Sequence, residues 1–217
     1  VKFIKSLCKK KFEINKNQIQ KNIFLGYKSL NKSNNTFYKD IVSVESSSNI
    51  LIDLDLNLIK KKYWKPKLNI DQNMKIDDAV DGVKNNLIKS LELRMRSDVP
   101  IAFCLSGGVD SSLLASHATK TFNKKISTFS IIDKDPRYDE SENIRYIIDD
   151  LRCNHELIKI NNDENLFLDR LKVLTNYHDG PIATLSYYIH SFLSESISKK
   201  NYKVAISGTV ADELFTG

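Results

Sequence analysis

The chain has 217 residues, a length that predicts one domain with an appendage. Its 41% hydrophobic and 28% charged residues exclude a disordered tail, a collagen-like fibre and a disulfide miniprotein. The net charge of +6 is uneven, because residues 1–67 carry +10 and residues 68–217 carry −4. This lysine excess comes without an arginine cluster or an RNA-binding aromatic signature, so we expect no nucleic-acid partner.

A polar, lysine-rich arm with scattered apolar residues forms the first third of the chain. Apolar periodicity predicts short helices at residues 2–7 and 17–27. The serine run at residues 46–49 lies between apolar pairs and predicts a turn between two strands. Residues 65–75, which follow an aromatic pair, read as a linker. The arm is therefore expected to be separate from the rest of the chain.

Predicted strands and helices alternate from the linker onward. Short apolar runs predict strands at residues 99–105, 126–132, 156–160 and 204–206. Helical spacing of apolar residues predicts helices at residues 77–91, 113–122, 142–151, 163–175 and 183–199. This alternation predicts an α/β fold, with a parallel sheet flanked by helices on both faces. Ligands of such sheets bind at the carboxyl ends of the strands.

The first strand runs into the sequence Leu-Ser-Gly-Gly-Val-Asp-Ser-Ser at residues 105–112, which opens a helix. Its two glycines let amide N–H groups converge into an anion-binding nest, and the helix adds its positive end. Asp110 would repel a phosphate unless a cation lay between them, which implies Mg²⁺. The loop lacks the Gly-Lys-Ser/Thr of a Walker A motif. The alternative is a tight turn with a helix cap at Asp110-Ser111.

A second polar loop follows the last predicted strand. Ser207-Gly208 allows close approach of a ligand to the backbone. Asp212 and Glu213 start a short helix and could bind Mg²⁺ or an ammonium group. The alternative is an N-terminal cap with acids in the first turn, a common arrangement for helix-dipole reasons. Because both loops follow strands of one parallel sheet, we expect them to form one site.

The residues 105–112 resemble the PP-loop of the ATP pyrophosphatase superfamily, whose members cleave ATP between the α and β phosphates. Together with Asp139-Glu140-Ser141 and residues 207–215, they resemble the synthetase domain of glutamine-hydrolysing asparagine synthetase. In the arm, Thr36-Phe37-Tyr38 and Tyr63-Trp64 resemble the segment that joins the glutaminase domain to the synthetase domain. The resemblance covers nearly the whole chain in one order.

This resemblance implies an adenine nucleotide alpha hydrolase-like fold and a two-part ligase. A glutaminase domain would release ammonia from glutamine. The synthetase domain would adenylate a carboxylate, aspartate by resemblance, with release of pyrophosphate, and ammonia would then displace AMP. Since both chain ends look cut, we expect residues 1–67 to be an arm linking to a missing glutaminase domain. Residues 68–217 would be the N-terminal part of the ATP-binding synthetase domain, and a homodimer stays open.

The resemblance also implies a role for individual residues. ATP would be bound by both loops and by the second strand, through Leu105, Ser106, Gly107, Gly108, Val109, Asp110, Ser111, Ser112, Ile131, Ser207 and Gly208. Mg²⁺ would lie near Asp110 and Asp212. The catalytic positions would be Thr209, Asp212 and Glu213.

Two positions of the second loop depart from the family pattern, which reads Ser-Gly-Glu-Gly-Ala-Asp-Glu. This chain has Thr209 at the position of the first Glu and Val210 at that of the second Gly. The resemblance assigns that Glu to amide chemistry, as the acceptor of a proton from ammonia, and a threonine hydroxyl is no base near neutral pH. A carboxylate other than aspartate, on a sugar or a peptide, is therefore an alternative substrate. A nucleotide-binding homologue without catalysis is another reading of the same departures.

Other chemically active residues receive plainer interpretations. The sequence at residues 178–181, His-Asp-Gly-Pro, predicts a turn before a helix. Cys104 is expected in the core, and no two histidines have zinc-ligand spacing. Arg137 could meet a phosphate, while Asp139 reads equally as a helix cap. Three widely spaced cysteines, no signal peptide and no membrane span favour a reducing cytoplasm.

One further rival is another PP-loop adenylating enzyme, such as a tRNA-modifying or GMP-synthetase-like protein. The arm that ends in Tyr63-Trp64 argues against it, as does the lack of a nucleic-acid footprint.

Overall fold

The computed structural model describes residues 2–8, 11–30, 32–132, 139–160 and 164–215. In chain order, the regular elements are α1 (Lys2–Cys8), α2 (Lys16–Leu25), β1 (Ser48–Ile52), β2 (Leu58–Lys62), α3 (Ile76–Arg94), β3 (Ile101–Cys104), α4 (Val109–Ser116), β4 (Ser127–Ile132), α5 (Ser141–Leu151), β5 (Asn154–Lys159), α6 (Glu164–His178), α7 (Ser186–Lys199), β6 (Val204–Ile206) and α8 (Ala211–Phe215). A 3₁₀ turn at Gly26–Ser29 extends α2, and a π-helical turn at His117–Thr121 extends α4. No helix in these ranges has the length and apolarity that crossing a bilayer takes.

The chain divides into two compact units. The first unit comprises residues 1–72 and 165–187, and the second comprises residues 73–164 and 188–217. The first unit therefore contains all of α6 except its first residue, in addition to the whole lysine-rich arm. The boundary between domains at residues 67 and 68 stays a prediction.

The first unit contains an antiparallel hairpin of β1 and β2, in which Ile50 pairs with Lys60. Asp53 organises its turn, since one of its carboxylate oxygens accepts hydrogen bonds from the N–H groups of Asp55 at 3.0 Å and Asn57 at 2.8 Å. A turn does occur at residues 46–47, but no strand of the described chain precedes it. The expectation of two strands flanking residues 46–49 is therefore wrong. The strand β1 pairs instead with β2, which follows it. The turn around Asp53 sets the register of these two strands.

A second feature of the first unit is the packing of the arm on the turn after α6. An added Cβ at Gly180 would lie 2.6 Å from Cδ2 of the Phe37 ring, so the ring is in close contact with this glycine. The Phe37 carbonyl accepts a hydrogen bond from the Asn15 N–H at 2.9 Å. The Asn15 side chain also caps α2 by accepting from the Gln18 N–H at 3.2 Å. The predicted turn after α6 is confirmed, and its glycine is required by close packing.

The second unit is built around a four-stranded parallel sheet with the order β5-β4-β3-β6. All four predicted strands are present, and the predicted α/β fold is confirmed. Successive residues of a strand point to opposite faces, and the core accordingly has two parts. One face is covered by residues of α3, α4 and α5, including Leu91, Ala115, Ala118, Ile144 and Leu151. The other is covered by α7 through Ile197 and Leu193.

The strand order brings the first and last strands of this sheet together. The chain steps from β3 outward to β4 and β5, and then returns to place β6 on the other side of β3. The point at which strand order reverses is where open α/β sheets bind ligands, at the carboxyl ends of the strands. The loops that follow β3 and β6 therefore lie at the position that this topology favours for a ligand.

Candidate functional site

The first loop, Leu105–Ser112, is closed by hydrogen bonds to the carbonyl of Gly108. The hydroxyls of Ser111 and Ser112 donate to this oxygen at 3.2 and 2.6 Å, and the Ser112 N–H donates at 3.2 Å. Gly108 is the extended residue before α4, which begins at Val109, four residues earlier than predicted. The alternative of a helix cap at Asp110-Ser111 is therefore wrong, because both residues lie inside the first turn of α4.

Two serines tie the beginning of this loop to its end. The Ser106 N–H donates to the Ser111 hydroxyl at 3.1 Å, and the two hydroxyl oxygens lie 3.0 Å apart. The Ser106 hydroxyl also accepts a hydrogen bond from the Gly108 N–H at 3.3 Å. Ser111 is buried, whereas Ser106 is exposed. Ser111 thus has an internal role in fixing the loop, while Ser106 remains accessible to a ligand.

Gly107 has two independent reasons to be a glycine. Its φ of +86° lies in the region that residues with a side chain rarely adopt. An added Cβ would also lie 3.0 Å from Cβ of Glu140 and 3.2 Å from its carbonyl oxygen. The backbone of Gly107 therefore passes directly over the residue before α5. The neighbouring Val109 is 77% exposed, so its side chain takes no part in the core.

A buried serine that the sequence pattern did not single out holds the base of the first loop. The Ser130 hydroxyl, on β4, donates to the Leu105 carbonyl at 2.5 Å, and the Leu105 N–H donates to the Phe129 carbonyl at 2.9 Å. The signal for it was a pair of hydroxyl residues at alternate positions of β4, Thr128 and Ser130, which therefore share one face of the sheet. Ile131 follows Ser130 on β4 and is the residue before the last one of this strand. It therefore lies at the carboxyl end of the strand, where the two loops also lie.

The second loop, Ser207–Glu213, lies against the first loop. An added Cβ at Gly208 would lie 2.9 Å from both the Asp110 Cβ and the Ser111 backbone nitrogen. Only glycine allows this contact, because the atoms it meets are backbone or directly attached to it. The expectation that the two loops lie together is met at these three residues.

The turn Gly208–Ala211 within the second loop carries a strained residue. The Ala211 N–H donates to the Gly208 carbonyl at 3.3 Å, which closes a four-residue turn. Val210, the third residue, has φ of +82°, whereas Thr209 does not have a positive φ. A positive φ at the third position is the feature for which type II turns favour glycine there. A β-branched residue in this region is an outlier, with a cost of about 1–3 kcal/mol.

The polar side chains of the second loop are accessible. The hydroxyls of Ser207 and Thr209 lie 2.9 Å apart and share a hydrogen bond. Asp212 and Glu213 are exposed in the first turn of α8. In the described ranges, no group of three or more His, Cys, Asp or Glu could hold a metal ion. Mg²⁺ is usually held by one or two carboxylates together with substrate phosphates, so Asp110 and Asp212 have the chemistry that this ion needs.

Three other residues that the sequence singled out have plainer surroundings. Burial raises the pKa of the Cys104 thiol at the end of β3, so this cysteine stays protonated, as expected of a core residue. Asp139 accepts a hydrogen bond from the Ser141 N–H at 2.9 Å, which is the helix-start role that the sequence allowed. Arg137 lies outside the described residues.

The fold and the two loops define an α/β protein with two polar loops in contact at the carboxyl ends of the adjacent parallel strands β3 and β6. The sequence profile of the asparagine synthase family matches residues 82–217 of this chain. The chain belongs to this family.

Relatives share this likeness over most of the chain. A putative glutamine-hydrolysing asparagine synthetase 2 of Methanocaldococcus jannaschii is 29% identical over 209 residues, which are 96% of this chain and 39% of that protein. Asparagine synthetase 1 of Bacillus subtilis, which also carries the description glutamine-hydrolysing, is 30% identical over 177 residues, which are 82% of this chain and 27% of that protein. Amidase chry2 of Gibberella zeae is 30% identical over 155 residues, and the match covers 65% of this chain and 23% of that protein. The chain thus spans well under half the length of these relatives.

Proposed function

We propose that this chain is the ATP-binding part of an ATP-dependent amide ligase of the glutamine-hydrolysing asparagine synthase type. The observation that carries the proposal is the contact of Gly208 with Asp110 and Ser111, which joins the two loops at the carboxyl ends of adjacent parallel strands. Membership of the family and the names of the two asparagine synthetases support the same activity.

The proposed reaction has two steps. A carboxylate oxygen of the substrate attacks the α-phosphorus of ATP, the bond to the β-phosphate oxygen breaks, and pyrophosphate leaves. Ammonia then attacks the carbonyl carbon of the acyl-adenylate, the bond to the AMP oxygen breaks, and the nitrogen loses a proton to form the amide. Adenylation is needed because a carboxylate is a poor electrophile and AMP is a good leaving group.

The first loop would bind the leaving pyrophosphate. Its amide N–H groups and the N-terminal end of α4, which has eight residues, favour negative charge. Fixed donors of this kind stabilise developing charge without reorganising. Mg²⁺, held by Asp110 and Asp212, would supply positive charge to the pyrophosphate oxygens. Leu105, Ile131 and Gly208 would contribute backbone around AMP.

The second loop would meet the carboxylate substrate and ammonia. Asp212 and Glu213 are exposed acids that can attract an ammonium group. Thr209 is neutral and shares a hydrogen bond with Ser207, so it supplies neither charge nor a base at this point. This observation favours a second candidate, the amidation of a carboxylate other than aspartate, on a sugar or a peptide. A relative that is named as an amidase is compatible with such a change of substrate.

Three further parts of the proposal concern the whole protein. A glutaminase domain outside this chain would supply ammonia, with the arm as the connection. The protein would act in the cytoplasm, without nucleic acid, and a homodimer is a further candidate arrangement. A catalytically inactive nucleotide-binding homologue is the main rival.

The test follows pyrophosphate release by the full-length protein with MgATP and ammonia. Release that requires aspartate and yields asparagine would establish the asparagine synthase activity. No response to aspartate, together with tight MgATP binding, would support another carboxylate as substrate. The variant Asp110→Asn separates an active ligase from a pure binding module, since it removes one negative charge and keeps the shape of the side chain. An active ligase should lose pyrophosphate release with this variant, while a pure binding module should lose only affinity.

A further inference from the structure

The peptide between Leu105 and Ser106, where β3 ends and the first loop begins, is held at both of its polar atoms. Its carbonyl accepts a hydrogen bond from the Ser130 hydroxyl at 2.5 Å, and its N–H donates to the Ser111 hydroxyl at 3.1 Å. Ser130 and Ser111 are 1% and 6% exposed, so solvent has little access to these bonds. Because a peptide is planar, two fixed atoms on its opposite sides determine its rotation about the chain direction.

The bond from Ser130 takes the place of a regular ladder bond. The Leu105 N–H donates to the Phe129 carbonyl at 2.9 Å, and a parallel ladder would continue from the Ile131 N–H to the Leu105 carbonyl. Among the residues that the structure describes, the donor to this carbonyl is the Ser130 hydroxyl, and Ile131 does not donate to it. A side chain of β4 therefore decides the direction in which the backbone continues after β3.

The rest of the first loop is built on this peptide. The Ser106 hydroxyl accepts from the Gly108 N–H at 3.3 Å and lies 3.0 Å from the Ser111 hydroxyl, which donates to the Gly108 carbonyl. Gly107 lies between these points, and its N–H has no acceptor in the described part of the chain. A rotation of the peptide between Leu105 and Ser106 would break its bond to Ser111. It would also redirect the Gly107 N–H, a donor that is available to an anion.

We propose that Ser130 is a positioning residue of the nucleotide site, whose hydroxyl holds the peptide between Leu105 and Ser106 in the orientation that directs the first loop at phosphate. This inference rests on the proposed function, in that the first loop is taken to bind ATP. Ser130 acts through Leu105, because its buried hydroxyl is used by the carbonyl of that residue. Donors that are held in place before the ligand arrives lose no affinity to ordering of the loop.

Removal of the Ser130 hydroxyl defines an alternative state of the loop. The Leu105 carbonyl can then take the Ile131 N–H as its donor, which extends the ladder by one bond and rotates the peptide away from Ser111. Phosphate would bind only to the fraction of molecules that keeps the original orientation, and the apparent affinity falls with that fraction.

The test compares two hydroxyl residues that share one face of β4 and are equally buried. Ser130→Ala removes the positioning bond, and Ser130→Cys keeps a weak donor with a similar volume. Thr128→Val is the matched control, because the Thr128 hydroxyl is also 1% exposed but donates to the Asn154 carbonyl at 3.1 Å. Asn154 is the first residue of β5, so this bond lies at the amino end of the sheet, away from both loops.

Three quantities are measured on the full-length protein at about pH 8, where the imidazole beside Thr128 is neutral. The first is MgATP affinity by calorimetry. The second and third are the urea midpoint and the exchange rate of the Ser106 amide, both without nucleotide. Local opening, rather than unfolding of the whole unit, sets amide exchange in a loop.

We expect Ser130→Ala to bind MgATP at least about 5-fold more weakly than the unsubstituted protein, the lower end of the ratio that an unpaired buried carbonyl corresponds to. Ser130→Cys should lie between. The Ser106 amide should exchange at least about 5-fold faster in Ser130→Ala, because the rotated peptide loses its bond to Ser111. Thr128→Val should lower the urea midpoint as Ser130→Ala does, but leave MgATP affinity and Ser106 exchange within about twofold, since its bond is remote from the loop.

Three results would overturn the inference alone. MgATP affinity of Ser130→Ala within about twofold of the unsubstituted protein would mean that the hydroxyl does not position the site. Equal losses of affinity in Ser130→Ala and Thr128→Val would mean that lower stability, rather than lost positioning, weakens binding. Unchanged exchange of the Ser106 amide in Ser130→Ala would mean that the hydroxyl does not hold this peptide. If the unsubstituted protein does not bind MgATP, the proposed function fails and the inference fails with it.

Discussion

The apolar residues of β1 and of β3, which belong to the two different sheets of this chain, have opposite degrees of burial. In the second unit, Ala102 and Phe103 of β3 are 0% and 3% exposed, whereas Leu51 and Ile52 of β1 are 59% and 63% exposed. The central strand β3 pairs on both sides and has helices over both faces, while a two-stranded hairpin has no such cover. Apolar sequence therefore predicts a strand, but the neighbouring layers decide whether the strand forms a core.

Gly208→Ala should have the largest effect, because it acts at the contact between the two loops. Its new Cβ would meet the Asp110 Cβ and the Ser111 nitrogen at 2.9 Å, so the loops must separate. Overpacking of about 1–3 kcal/mol predicts MgATP binding about 5- to 150-fold weaker. Gly82→Ala is the matched control, because nothing lies within 4 Å of its new Cβ. It should stabilise α3 slightly. Equal affinities for the two variants would contradict the contact between the loops.

Gly180→Ala tests close packing in the first unit. The new Cβ would lie 2.6 Å from the Phe37 ring, and we expect a loss of about 1–3 kcal/mol in the free energy of unfolding, measured with urea. The second substitution Phe37→Leu should recover part of this loss, because it removes the ring atoms that clash. MgATP affinity should not change. An unchanged stability of Gly180→Ala would show that the arm does not pack on this turn.

Ser111→Ala removes a hydroxyl that is buried inside the first loop. The Ser106 N–H would lose its acceptor, and the Gly108 carbonyl would lose one of its donors. The Gly108 carbonyl keeps its two donors from Ser112. The free energy of unfolding should fall by about 0.5–1.5 kcal/mol, the net contribution of a typical hydrogen bond. Ser6→Ala is the control, since the Ser6 hydroxyl donates to a carbonyl in an exposed helix. The two variants should differ clearly in urea midpoint, and equal midpoints would contradict the internal role of Ser111.

His155 should make stability depend on pH in a defined window. Burial lowers the pKa of its imidazole below the usual value of 6.5, and its Nε2 has no partner in the described part of the chain. The unfolded chain therefore takes up the proton first as pH falls through about 6.5, and stability decreases until the folded pKa is passed. His155→Gln should flatten the profile of urea midpoints between pH 7 and 5. The Thr128 hydroxyl, 2.9 Å from Nδ1, keeps a possible partner in this variant.

Glu156, whose charge partly offsets the lowering of the His155 pKa, provides a second check on that assignment. Its hydrogen bond with Lys200 holds the pKa of this carboxyl below the usual 4.5. The stability it contributes is present above pH 4.5 and is lost below it. Glu156→Gln should therefore leave the slope between pH 7 and 5 in place and flatten the profile only at lower pH.

Glu45→Gln in the hairpin should have the smallest effect. Lys60 and Lys62 bind this carboxylate and lower its pKa to about 2, and the side chains of the three residues are 39–47% exposed. Exposed ion pairs contribute little and are screened by salt. The urea midpoint should stay within experimental error at about 0.5 M salt. A large loss of stability would mean that the hairpin is covered in solution.

The sequence was sufficient to predict the parallel sheet and the two loops that follow its strands. Short apolar runs before Leu105 and Ser207 predicted strands, and the glycines after them predicted turns. Alternation of strands and helices then required the carboxyl ends to share an edge. These inferences depend on local pattern and on handedness rules, which act within a few dozen residues.

The sequence predicted that the two loops lie together, but it did not predict which residues meet. Strand order, and with it the contact of Gly208 with Ser111, depends on packing of the whole unit. The contact of Phe37 with Gly180 joins residues far apart in the chain. The hydrogen bond from Ser130 to the Leu105 carbonyl likewise depends on the pairing of two strands, which the sequence of β4 alone does not specify. The departure at Val210 was visible, but the reason it matters is a φ angle that only the folded turn reveals.

The most direct test of the proposed site is a crystal structure of the full-length protein with Mg²⁺ and an ATP analogue that has a methylene group between the α and β phosphates. We predict the β and γ phosphates at the first loop, within hydrogen-bond distance of its backbone N–H groups, and the α phosphate between Gly108 and Gly208. A nucleotide bound elsewhere, with the first loop free of phosphate, would contradict this site.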